Sequence, residues 1–260
     1  LIQMLLNVFK SDIHWIIFYI LVIFSWISVA LMATDDVDIS SFQSVYGAEF
    51  WLELCQQPNG FDDWLSLFLM WTIMSGAMMM PTLIPALRTY QDLIFGGSGS
   101  PGGFVVIIFG FLIVWIGYCA LTSTVQATFL HLNILSNEGI FIYPIMSSTL
   151  LAFAGLYQFS HLKNSCASKC RAPLTFFMQY WELGLLGSLK MGLRLGLSCL
   201  GCCWVLMLLT FVGGTMSLAF MGVSTIIMIF EKLPQIGDYL TRPLGYVLLI
   251  LAGFNLSFYF

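Results

Sequence analysis

Three cysteines lie within five residues of one apolar segment, which runs from Cys199 to Met207 and reads Cys-Leu-Gly-Cys-Cys-Trp-Val-Leu-Met. Residues three and four apart share a helix face, so Cys199 can face the same side as Cys202 or Cys203, and Met207 continues that stripe. Thiolate and thioether ligands favour Cu(I) among the common ions. The spacing does not reproduce the paired sets of structural zinc sites. The segment predicts a copper or redox site, with thiols packed as small hydrophobes as the alternative.

A second pair of thiols lies upstream, in a basic stretch of the chain. Cys166 and Cys170 are one helical turn apart, and His161 precedes them. We expect them in a reducing compartment, where a permanent disulfide is not favoured. They are candidates for a transfer site that presents a metal ion to the apolar segment, or they are two thiols without a ligand role.

Methionines form a third sulfur-rich segment. Met70, Met74 and Met78 recur every four residues and therefore share one helix face. Methionine commonly fills irregular cores, but it can also complete a copper site if this helix packs against the cysteine helix. The predicted metal ligands are Cys199, Cys202, Cys203, Met207, Cys166, Cys170, Met74 and Met78.

Composition predicts a membrane protein. Of 260 residues, 59% are hydrophobic and 8% are charged, which excludes an ordinary soluble domain. Seven apolar segments are each long enough to cross a bilayer, which takes roughly 20 helical residues, and such segments satisfy their backbone hydrogen bonds as helices. We predict an all-α polytopic transmembrane bundle of about seven spans in a single membrane domain, residues 1–260. Its expected partner is the lipid bilayer and not nucleic acid. The expected spans are Ile13 to Ala33, Trp64 to Leu87, Phe104 to Ala127, Gly139 to Ser160, Met191 to Phe211, Gly214 to Phe230 and Arg242 to Phe258.

The distribution of charge predicts an orientation. With seven spans and a cytoplasmic N-terminus, all nine Lys and Arg residues fall on the inner side, and the C-terminus lies outside. Residues 34–63 then form an acidic outer segment. Residues 161–190 form a basic inner loop, in which the aromatic run from Phe176 to Trp181 predicts an interfacial helix. The bacterial inner membrane is the expected location.

Two further features bear on packing. Gly192 and Gly196 form a GxxxG spacing that favours close contact between helices. Glu231 is expected to pair with Arg194 or Arg88, because its neighbour Lys232 points away from it on a helix.

Several runs of the chain resemble a known family. They are MSGAMMMP at 74–81, GLYQFSHLKNSCASKCRAP at 155–173, GLRLGLSCLGCCWVLM at 192–207, GGTMSLAFM at 213–221 and Glu231-Lys232. Together they resemble an uncharacterised bacterial family of predicted metal-binding integral membrane proteins, most specifically through Cys-Leu-Gly-Cys-Cys-Trp. The resemblance implies a metal-binding role in a membrane, without naming the metal. It carries over as matching positions Cys166, Cys170, Cys199, Cys202, Cys203, Met74, Met78, Met79 and Glu231.

Three functions follow from these observations. The first is copper binding through Cys and Met, for metal handling or delivery to a membrane enzyme. The second is a non-catalytic accessory or scaffold subunit of a larger membrane oxidase or monooxygenase, with metal-free cysteines and other membrane subunits as partners. The third is thiol redox catalysis. The spans contain no Ser, His and Asp set and no paired catalytic carboxylates, so an enzyme is not favoured.

Overall fold

A computed structural model describes residues 2–33, 64–95, 102–136, 138–215 and 217–257, with only the backbone described for 2–12 and 95. The predicted acidic outer segment 34–63 lies outside the described residues. The described residues form ten α-helices and one isolated antiparallel bridge, between Leu135 and Phe141. The helices are α1 Ile2–Ala33, α2 Trp64–Phe95, α3 Gly103–His131, α4 Pro144–Gln158, α5 His161–Arg171, α6 Pro173–Tyr180, α7 Gly184–Leu208, α8 Thr210–Gly213, α9 Leu218–Glu231 and α10 Gly237–Ser257.

Five helical stretches are long and apolar enough to cross a membrane. They lie in α1, α2, α3, α7 together with α8, and α10, and each overlaps a predicted span. The helix α1 contains the first predicted span, Ile13 to Ala33, and begins at Ile2. The all-α class is therefore confirmed, and the apolar helices are consistent with a membrane protein.

The prediction of seven spans is not supported. The fourth and sixth expected spans correspond to α4 and α9, which have 15 and 14 residues. At 1.5 Å per residue these helices are about 22 Å and 21 Å long, shorter than a hydrocarbon core of about 30 Å. The predicted orientation of the termini used all seven spans to assign each loop to a side, so it is not supported either.

Local backbone structure explains why these two helices are short. Before α4, Ser136 N donates to Ile140 O at 2.7 Å and Ile142 N donates to Ile134 O at 3.0 Å, so the chain forms a turn. Before α9, Gly214 has a φ of 94°, which ends the preceding helix. Hydropathy alone does not detect either break.

The helices α3 and α7 pack closely against each other. A Cβ built on Gly192 of α7 would lie 2.4 Å from Ile107 O, and one on Gly110 of α3 would lie 2.7 Å from Leu189 O. A Cβ on Gly196 would lie 3.0 Å from Val114 Cβ. The GxxxG spacing therefore brings two backbones together, as predicted.

This contact predicts a position-specific effect of added methyl groups. We expect Gly110→Ala to lower the free energy of unfolding by about 1–3 kcal/mol, because its methyl group would meet backbone atoms that cannot rotate away. Gly117, two turns later on α3, has no atom within 4 Å of an added Cβ. Gly117→Ala should therefore stay within about 1 kcal/mol of the wild type. Denaturation of both variants in detergent checks the prediction, and equal effects would contradict it.

The predicted basic loop 161–190 is mostly helical. It contains α5, α6 and the start of α7, which begins at Gly184 rather than Met191. Phe176 and Phe177 of the aromatic run are 2% and 0% exposed, so they pack inside the protein. Whether the loop also lies on a lipid surface stays a prediction. Within this region, α5 packs directly against α7.

Candidate metal centre

The three cysteines of α7 form one buried cluster. Cys199, Cys202 and Cys203 are 2%, 3% and 1% exposed. Cys202 Sγ lies 3.1 Å from Cys203 Sγ, and Cys202 Sγ also lies 3.1 Å from Cys199 O. The Cys199 thiol is close enough to interact with both of the others. The three sulfur atoms therefore converge although two of them belong to adjacent residues.

The two cysteines of α5 lie against α7, and one of them reaches its thiol cluster. A Cβ built on Gly201 of α7 would lie 2.5 Å from Cys166 Sγ, so the glycine leaves the space that this thiol fills. The Cys170 thiol lies beside that of Cys202. At the start of α5, the Ser160 hydroxyl accepts a hydrogen bond from Lys163 N at 3.1 Å and caps the helix. The structure thus brings Cys170 to the α7 thiols and places Cys166 against the same helix, at Gly201.

Lys232 lies at the edge of the cluster and was not among the predicted site residues. Its Nζ donates to Cys199 Sγ at 2.9 Å and to Thr82 Oγ1 at 2.7 Å. The side chain is buried, with 6% of its surface exposed. A lysine directly after an apolar helix is ordinarily expected at the membrane surface, so neither its burial nor its partner follows from residue spacing.

Glu231 forms a buried ion pair with Lys163 of α5. Lys163 Nζ lies 2.9 Å from each carboxylate oxygen, and the two side chains are 4% and 1% exposed. The prediction that Glu231 pairs with Arg194 or Arg88 is wrong. Arg194 pairs with Glu182 at 3.1 Å, and the Arg88 guanidinium lies over the Trp15 ring at 6.0 Å.

Arg171, the last residue of α5, secures the turn that follows α9. Its Nε donates to Glu231 O at 2.7 Å, and its Nη2 donates to Thr241 Oγ1 at 2.9 Å. Its Nη1 pairs with Asp238. Together with the Lys163 pair, these bonds hold α5 against α9 and α10 and so fix where the α5 thiols lie.

The methionine candidates are buried, but α2 does not pack closely along α7. Met74, Met78 and Met207 are 2%, 0% and 0% exposed. The Lys232 ammonium contacts both Thr82 of α2 and Cys199 of α7. A ligand role for the three methionines therefore stays a prediction.

The cluster is not a preformed site for an ion that needs many ligands. In the described part of the chain, no group of three or more His, Cys, Asp or Glu side chains is arranged to hold a metal ion. Its donors are sulfur atoms shielded from water, which suits a soft monovalent ion such as Cu(I), for which two thiolates suffice. Hard ions, which prefer carboxylate and carbonyl oxygen, do not fit this donor set.

An open cavity of about 280 Å³ reaches the half-buried thiol of Cys166. Burial raises the pKa of the Cys166 thiol, and the nearby Lys169 ammonium partly opposes that rise. Two cationic side chains are therefore close to a thiol that a small molecule can reach. The cavity is lined by Cys166, Lys169, Phe176, Tyr180, Arg194, Leu197 and Ser198.

Comparison with known proteins agrees with the chemistry of the cluster. A family model described as PpoB2, copper chaperone, matches residues 68–255, which is most of the chain. The matched range contains every predicted ligand and Lys232. No curated protein and no solved structure matches the chain. The metal-related role implied by the resemblance of the sequence is supported, and the metal that the family handles is copper. The chain belongs to the PpoB2 copper chaperone family.

Proposed function

We propose that this protein binds Cu(I) through the α7 thiols within a membrane and passes the ion to a membrane enzyme. Copper is the cargo and not a resident cofactor. The observation that carries the proposal is the convergence of Cys199, Cys202 and Cys203 in a dry core, in a chain of a copper chaperone family.

The surroundings of the thiols suit storage of Cu(I) without reaction. A thiol that becomes a metal ligand loses its proton, and a soft thiolate holds Cu(I) more readily than oxygen ligands do. Burial keeps water and small oxidants away from the bound ion. The Cys202 and Cys203 sulfur atoms, 3.1 Å apart, need little rearrangement to share one ion.

Membrane insertion is supported by the exposed apolar surface. In α1 and α10, only 22% of the most apolar stretch is buried inside the protein. Ile20 of α1 and Ile250 of α10 are 58% and 68% exposed. Contact of this apolar surface with lipid carries no free-energy cost, whereas its contact with water does.

The α5 thiols offer a path by which the ion reaches and leaves the core. Cys166 lines the open cavity, and its Sγ packs against Gly201 between the α7 thiols. Cys170 lies beside Cys202. Copper would pass by exchange of one thiolate ligand for another, from the cavity to Cys166, then to Cys170, and then to α7.

Serine substitution tests the proposed binding. We expect Cys199→Ser, Cys202→Ser and Cys203→Ser together to abolish copper binding, because a hydroxyl is a poor ligand for Cu(I). The control is Cys119→Ser, which changes a buried thiol of α3 whose Sγ lies 3.3 Å from Trp71 O. The measurement is copper content per chain, by mass spectrometry, after gentle purification from membranes.

Copper that survives the triple substitution would contradict the proposal. If the wild-type protein is purified without copper and with a fixed set of partner chains, the result would favour the alternative function, an accessory subunit whose cysteines only pack.

A further inference from the structure

We propose that Lys232 makes the thiol cluster selective for a monovalent ion, by supplying the positive charge that balances a Cu(I) dithiolate. This inference rests on the proposed copper-binding function and adds a specificity-determining residue to it. Its basis is the contact of Lys232 Nζ with Cys199 Sγ, at 2.9 Å, in a buried site.

The neighbouring charges leave Lys232 as the cation in excess. Glu231 is paired with Lys163, and Asp238 is paired with Arg171. Among the described residues, no carboxylate forms an ion pair with Lys232, whose recorded partners are a sulfur and the Thr82 hydroxyl. A buried ammonium is costly unless an anion lies beside it, so the thiol cluster is where its counter-charge belongs.

Charge counting then favours one class of ion. When Cu(I) binds to Cys199 and one of its two neighbours, each thiol releases its proton to solvent and the copper stays Cu(I). Two thiolates and one monovalent ion carry a net charge of minus one, and the Lys232 ammonium makes the buried site neutral. On the same two thiolates, a divalent ion such as Zn(II) would leave an uncompensated positive charge, and the site would become neutral only if the third thiol also lost its proton. Since an unbalanced buried charge is strongly unfavourable, Zn(II) should bind poorly to the thiolate pair that holds Cu(I).

Thr82 keeps the lysine in place without competing for the ion. Its hydroxyl accepts from Lys232 Nζ at 2.7 Å and itself donates to Met79 O at 2.7 Å. A neutral hydroxyl satisfies one donor of the ammonium while leaving its charge available to the thiolates. The cysteines therefore bind the ion, and Lys232 acts through Cys199 as a positioning and charge-balancing residue.

The test compares monovalent and divalent ions on the whole purified chain in detergent. Cu(I) and Ag(I) are the monovalent probes, and Zn(II) is the divalent one, each titrated without oxygen against a competing chelator. We expect Lys232→Met to weaken Cu(I) and Ag(I) by on the order of 10- to 100-fold, as for the loss of one charged hydrogen bond. Zn(II) affinity should not fall, and Lys232→Arg should restore preference for the monovalent ions.

Lys190→Met is the matched control, because it removes a lysine of α7 that is 60% exposed and paired with Glu182. It should leave all three affinities unchanged. An equal loss for Cu(I), Ag(I) and Zn(II) in Lys232→Met, or no loss, would overturn the role of Lys232 while copper binding itself stands.

The wild type supplies a second test that needs no folded variant. It should bind Ag(I) far more tightly than Zn(II), and equal affinities would overturn the inference. A wild type that binds no Cu(I) would overturn the proposed function together with this inference.

Discussion

Glu231→Gln is expected to lower the free energy of unfolding by about 3–5 kcal/mol, the cost of leaving one partner of a buried ion pair uncompensated. The substitution keeps the shape of the side chain but leaves the Lys163 ammonium, 1% exposed, without an anion. The bond from Arg171 Nε to Glu231 O involves the backbone and remains possible. Thermal or chemical denaturation in detergent measures the effect.

Two companion variants separate the lost charge from the lost side chain. Lys163→Met combined with Glu231→Leu should recover much of the stability, because a buried ion pair replaced by apolar groups often costs little. Glu182→Gln, which removes the half-exposed partner of Lys190 and Arg194, should leave stability nearly unchanged. An unchanged free energy of unfolding in Glu231→Gln alone would contradict the conclusion that the Lys163 and Glu231 ion pair stabilises the contact between α5 and α9.

The second large effect concerns how fast copper moves. We expect Cys166→Ser with Cys170→Ser to slow exchange of Cu(I) with a small thiol chelator by on the order of 10-fold, as for about 1.4 kcal/mol added to the barrier, because a hydroxyl is a poor ligand for Cu(I) during the transfer. Equilibrium binding should change far less, because the α7 thiols remain. Stopped-flow mixing of the copper-loaded protein with the chelator measures the rate.

Gly201→Ala provides an independent version of this experiment. Its methyl group would lie 2.5 Å from Cys166 Sγ, so it should displace that thiol without removing any sulfur. Slow exchange in both variants would support the path through α5. Unchanged rates in both would contradict it and leave the function of Cys166 and Cys170 structural.

Local patterns predicted the long helices well. Each of the five long apolar stretches overlaps a predicted span, and Gly192 and Gly196 lie in a close helix contact as their spacing suggests, although the partner helix α3 was not predicted. Such features depend on composition and helical periodicity, which neighbouring residues determine. The two short helices were not predicted, because the turn before Pro144 and the positive φ of Gly214 leave hydropathy almost unchanged.

Contacts across the bundle were predicted less well. Candidate ligands followed from residue type, and the meeting of Cys170 with Cys202 agrees with a shared site. The partners of Glu231 and Lys232 did not follow, because they depend on the depth and rotation of α5 and α2 relative to α9. Rotating α5 by one residue, about 100°, would replace Lys163 with another side chain at this contact. Residue spacing within a single helix contains no information on how the helix is rotated against its neighbours.

X-ray absorption at the copper edge tests the central claim most directly. The protein, loaded with Cu(I) and compared with its triple serine variant, should show a Cu(I) edge and sulfur ligands alone, and this signal should vanish in the variant. Nitrogen or oxygen ligands in the loaded protein, or an identical spectrum from the variant, would contradict binding by Cys199, Cys202 and Cys203.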